Sequence, residues 1–214
     1  MKPLALLPLI AFAMPALAQE RAFPPGTYGE PFTVAALVDG CSLEGEGAGC
    51  TLMAEGVRWV AWADGATPPE VLAHLAALPV NTPVIVSGDV VTMGDITVEA
   101  VLAGIAPGTD PHASERALMQ GEWQGDDPGF EVVVRGSTWS ERYVGDAMGD
   151  HLLTLGAGCG IEGVAVEGLA INLQLLGGDP SEQSCFAVSK ITAERMELLH
   201  LPRGTPVTFT RPKT

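Results

Sequence analysis

The sequence predicts a mainly β protein: a five-stranded barrel carrying one helix, followed by a small antiparallel barrel. Three observations point there. Glycine and proline are frequent, at 26 and 17 residues, and they punctuate short Val- and Thr-rich runs. Amphipathic helical periodicity is sustained over a single stretch, near 68–78. Four cysteines accompany a leader-like N-terminus, which favours small disulfide-closed domains.

Lys2 precedes an apolar run from Leu4 to Met14, and Ala16-Leu17-Ala18 offers a signal peptidase its small-x-small site. Residues 1–18 are therefore expected to be a signal peptide cleaved between Ala18 and Gln19. The run is too short to span a membrane, and Gly/Pro clusters or charges interrupt every later apolar segment, so no transmembrane segment is expected. The expected destination is the periplasm or the exterior of a bacterial cell.

Residues 19–29 hold Pro24-Pro25-Gly26 and read as an extended arm. Phe32 to Val38 reads as a first strand, and Thr51–Ala54 and Val57–Ala63 as a hairpin turning at Glu55-Gly56. Thr67-Pro68-Pro69-Glu70 is a helix-start pattern with Thr67 as cap. Val71, Leu72, Leu75 and Leu78 then share one face. Pro83–Val91 and Ile96–Ile105 form a further hairpin. Three strands, a helix and two strands over 30–106 is the element order of an oligonucleotide/oligosaccharide-binding (OB) barrel, and the segment resembles exported bacterial OB-fold proteins of the cell envelope. The resemblance implies a small ligand-binding or stress-related module without catalysis.

Residues 107–120 read as a linker and short helix, with Asp110 as cap and Pro111 at the first helical position. Beyond it, strands are expected at Glu131–Gly136, Trp139–Val144, His151–Leu155, Leu169–Leu175, Cys185–Ser189, Met196–Leu201 and Pro206–Arg211, making 121–214 an antiparallel barrel or sandwich. Gly121-x-Trp123 after a short helix, with Arg211 on the last strand, resembles the opening and closing elements of a lipocalin or calycin barrel. That resemblance implies a structural pair, Arg211 lying over the Trp123 indole.

An even cysteine count in an exported chain favours disulfides over a Cys₄ metal site, since no CxxC spacing occurs. Four cysteines allow three connectivities. Pairing within each proposed domain selects Cys41–Cys50 and Cys159–Cys185, worth roughly 3 and 3.5 kcal/mol by loop entropy.

The formal net charge is −15, and removal of the leader takes away Lys2 alone. Such a chain repels phosphate backbones, which argues against nucleic acid as a partner and leaves cations and basic segments as fitting ones. His74, His112, His151 and His200 show no metal-ligand spacing, and neither a metal nor another cofactor is called for. No GxSxG or SxxK occurs. Ser140, His151 and Asp146 can be drawn as a triad, but any chain of this size supplies such a set.

For binding, Trp139 and Tyr143 share one strand face by alternation and would line a barrel mouth if they are not core. Trp59 and Trp62 fall on opposite faces, so Trp62 is a second candidate on the outside of the first barrel. The expected function is an exported envelope protein that binds a small molecule, a cation or a basic segment without catalysis. The alternative is a protein-interaction module, such as a protease inhibitor or accessory subunit, with the N-terminal arm as its contact. A hydrolase is the third reading.

Overall fold

The computed structural model describes residues 21–159, 166–179 and 182–212. The expected signal peptide lies outside them.

The first barrel is built from β1 (Glu30–Ser42), β2 (Gly49–Ala54), β3 (Val57–Trp62), β4 (Pro83–Met93) and β5 (Thr97–Pro107), with α1 (Pro69–Ala76) between β3 and β4. The strands close in the order β1-β2-β3-β5-β4. Closure rests on a short parallel pairing of Arg58–Val60 with Thr97–Glu99. Trp59 packs inward, its ring centroid 4.7 Å from that of Phe32, among Leu52, Leu75, Val86 and Leu102. The apolar face of α1, Val71, Leu72 and Leu75, is the face buried against this core, while His74 stays exposed.

Thr67 does not cap α1, contrary to the pattern Thr-Pro-Pro-Glu. Its hydroxyl is buried and accepts the N–H of Leu102, satisfying a β5 donor, and the helix starts at Pro69 behind Pro68 without a side-chain cap. Barrel closure thus overrides the local signal. The second helix, α2 (Ala113–Met119), also starts later than Asp110-Pro111 suggests. Asp110 instead accepts the His112 N–H and pairs with Arg116 at 2.9 Å.

The second barrel comprises β6 (Gly121–Gly125), β7 (Phe130–Arg135), β8 (Thr138–Tyr143), β9 (Asp146–Gly156), β10 (Ala170–Leu175), β11 (Gln183–Ile191), β12 (Arg195–Leu201) and β13 (Thr205–Thr210). All neighbours are antiparallel, and pairing of β13 with β6 closes the ring. Strand β9 starts at Asp146, five residues before the expected His151. The interior is filled by Trp123, Trp139, Leu153, Ile171, Met196 and Phe209.

Arg211 lies over the Trp123 ring, its guanidinium carbon 3.8 Å from the centroid. It donates to the carbonyls of Leu118, Gln120, Glu122 and Ala193. Gly121 makes room for it: φ is +102°, and a Cβ would sit 2.7 Å from Arg211 Nη1. Both expected disulfides are present, Cys41–Cys50 bridging β1 and β2, and Cys159–Cys185 tying the segment after β9 to β11.

The barrels are clasped together. Asp39 of β1 accepts the Ser137 N–H at 2.7 Å and faces Arg58 at 3.4 Å, and Arg58 donates to the Thr138 hydroxyl at 3.1 Å.

Candidate ligand cleft on the first barrel

The end of β3 turns Trp62 outward, as strand alternation from the buried Trp59 requires. Beside it, on the parallel partner strand, stands Glu99 of β5. The Trp62 indole N–H donates to Glu99 Oε1 at 3.2 Å. Among the described residues the second carboxylate oxygen, Oε2, makes no hydrogen bond. Val91 of β4, Ala100 and Val101 of β5, and the Gly65–Thr67 link into α1 complete the floor and one wall.

The arm contributes a further lining residue. Tyr28 lines the cleft and is 46% exposed, against 37% for Trp62. Its position is set by Asp89, a fully buried carboxylate on β4 that accepts the N–H groups of Gly26 and Tyr28 at 2.9 and 2.8 Å. Arg21 flanks the same carboxylate at 3.9 Å and donates to the Gly88 carbonyl. Burial raises the Asp89 pKa, but the backbone donors of Tyr28, Gly26 and Thr27, together with Arg21, outweigh it and hold the carboxyl below the usual value. Gly29 lets the arm cross β4, since a Cβ there would meet the Val90 carbonyl oxygen at 1.8 Å. The arm is therefore anchored to β4 and β5 through its backbone, while Pro24 and Pro25 stay exposed.

The resulting cleft of about 270 Å³ combines two exposed aromatic rings, apolar strand residues and one carboxylate. It suits a ligand with an apolar or cationic body, because a cation gains both from ring faces and from Glu99. A second cavity, about 190 Å³ between the barrels, is lined by residues that include Met53, Glu55, Leu153 and Arg116, whose Nε pairs with Asp110 while its buried Nη1 has no hydrogen-bond partner among the described residues.

The other candidates sort differently. Trp139 is core: it is buried, packs edge-on to Phe209 at 5.5 Å and donates its indole N–H to Glu141. Tyr143, on the same strand face, stands beyond the barrel rim and is exposed. The two do not form one aromatic platform, because four residues of strand carry one from the packed interior to the hairpin tip. Ser140 does not meet His151. Register places His151 opposite Trp139, so Ser140 points to the other side of the sheet. His151 instead faces Glu141 at 3.6 Å. Burial raises the Glu141 pKa, and hydrogen bonds from His151 and Trp139 more than reverse it. Among the described residues no three His, Cys, Asp or Glu side chains gather as a metal site, and no helix is long and apolar enough to cross a membrane.

No protein-family model matches the chain, and no curated protein or solved structure is significantly similar to it. The site therefore has to be read from its own chemistry.

Sequence reasoning singled out Trp62 and missed Tyr28, Glu99 and Asp89. One signal was available: Glu99 is the single charge within Ile96–Ile105, an otherwise apolar strand run.

Proposed function

We propose that this chain is an exported, non-enzymatic binding protein of the bacterial cell envelope. Its first barrel takes a small organic cation, or a basic side chain of a peptide segment, between Trp62, Tyr28 and Glu99. The observation that carries the reading is an exposed indole and a carboxylate joined at 3.2 Å in a cleft that an exposed tyrosine also lines. The strongly acidic composition supports it by drawing cations toward the surface. The leader and the two disulfides support export. A five-stranded barrel followed by an eight-stranded one supports the OB-like and calycin-like reading of the halves, and both architectures commonly bind ligands.

Tryptophan fluorescence tests this reading, because the other three tryptophans are buried. Titration with phenethylammonium and with a short arginine-rich peptide should give a saturable change, with glucose inert. By isothermal titration calorimetry, which does not depend on the Trp62 signal, Trp62→Ala and Glu99→Gln should each weaken binding by about tenfold, the loss of roughly 1.4 kcal/mol expected for one aromatic or ionic contact. No saturable change with either cation, or binding indifferent to both substitutions, would overturn the reading.

A further inference from the structure

The β8–β9 hairpin ends in a two-residue turn, Val144-Gly145, with Tyr143 paired to Asp146. Both turn residues have positive φ, 52° and 86°. This is the backbone that matches strand twist, and it selects Asn-Gly or Asp-Gly. A β-branched residue is among the least suited to such a φ. Val144 nevertheless occupies it, and its side chain is 73% exposed. Met148, the extra residue where the β8–β9 register shifts, is 62% exposed, and Tyr143 is 46% exposed.

The tip is held firmly. The Val144 N–H donates to the Gly129 carbonyl at 2.7 Å, and a Cβ at Gly129 would stand 3.1 Å from both Tyr143 and Val144. Three apolar side chains thus project from a braced, strained hairpin, where neither burial nor turn preference accounts for them. Local rules broken at an exposed, rigid point mark a place where function has set the residue. The surroundings are acidic: Asp146 and Asp150 lie on β9, and Asp126 and Asp127 on the neighbouring β6–β7 turn, against Arg142.

We infer that this tip is a docking prong for a protein partner that presents an apolar socket ringed by basic side chains. The carboxylate rim favours such a partner by charge complementarity and disfavours an anionic lipid surface. The inference is independent of the cleft, which lies on the other barrel.

The test places a photo-crosslinking residue at position 148 of the full chain in its source cells and compares it with the same chain carrying Val144→Asn. That substitution removes the apolar side chain while giving the turn its preferred residue, so its Tm should rise and a loss of docking cannot be put down to misfolding. The expected result is one discrete protein adduct. Its yield should fall by about fivefold or more in V144N, and also when salt is raised to about 0.5 M, where the rim is screened. Adduct formation unchanged by V144N or by salt, an adduct only to a second copy of the chain, or no adduct would overturn the inference. So would sedimentation of the purified protein with phosphatidylethanolamine–phosphatidylglycerol vesicles that V144N abolishes.

Discussion

Arg211 closes the second barrel with one side chain that performs three tasks. It covers the Trp123 ring, satisfies three carbonyl oxygens around β6 and α2 and one in the β11–β12 turn, and occupies the space a side chain at Gly121 would need. Arg211→Ala should cost about 2–3 kcal/mol from the lost cation–π contact and the stranded carbonyls, and Arg211→Lys should recover part of it. Gly121→Ala should cost about 1–3 kcal/mol, since it forces a Cβ into an unfavourable φ and against the guanidinium. Thermal denaturation of the three variants checks both values; a Gly121→Ala protein as stable as the parent would contradict the packing account. This corner was legible in the sequence because Gly121 and Trp123 are two residues apart and Arg211 ends the last apolar strand. The cleft was not. Tyr28 and Glu99 reach Trp62 from 34 and 37 positions away, and only barrel closure and the folding back of the arm bring them there.

The arm shows how an element's fate is decided by a residue outside it. Residues 21–29 form no regular structure, yet Asp89 collects their backbone donors and the Ala22 N–H reaches the Ala103 carbonyl. Asp89→Asn places an amide N–H against those donors and should free the arm, raising the rate of tryptic cleavage after Arg21 by about tenfold through local opening. The pH dependence has a definite sign. The folded carboxyl titrates below its ordinary value, so its contribution is complete above about pH 4–5. It fades as pH falls through that range toward the depressed folded value. Hydrogen-exchange protection of the Gly26 and Tyr28 amides, corrected for intrinsic exchange, should therefore be greater in the parent protein than in Asp89→Asn near neutrality, and the two should converge in strong acid. A difference that persists unchanged into strong acid would contradict the anchoring role. Helix starts illustrate the same lesson. Thr67 and Asp110 both look like caps, but the Leu102 N–H claims the Thr67 hydroxyl from 35 positions away, and the His112 N–H and Arg116 claim the Asp110 carboxylate.

At the scale of the molecule, two barrels with separate cores are joined by Asp39, Arg58 and the Gly136–Thr138 turn, so the cleft and the Val144 prong are carried by one clasped body. The barrel sequence itself was legible because turn residues and alternating strands are local signals. The chemistry was less so, because aromatic residues pattern alike whether they end in a core, as Trp139 does, or on a surface, as Trp62 does. The central claim is that the Trp62 cleft holds a cationic ligand in the exported protein. Native mass spectrometry of the protein purified from its own envelope tests it most directly. The expected result is a chain beginning at Gln19 that lacks four hydrogens for its two disulfides, carrying a discrete cationic mass that is lost on mild activation and missing from Trp62→Ala. A bare chain, or a bound mass that survives Trp62→Ala and Glu99→Gln alike, would contradict it.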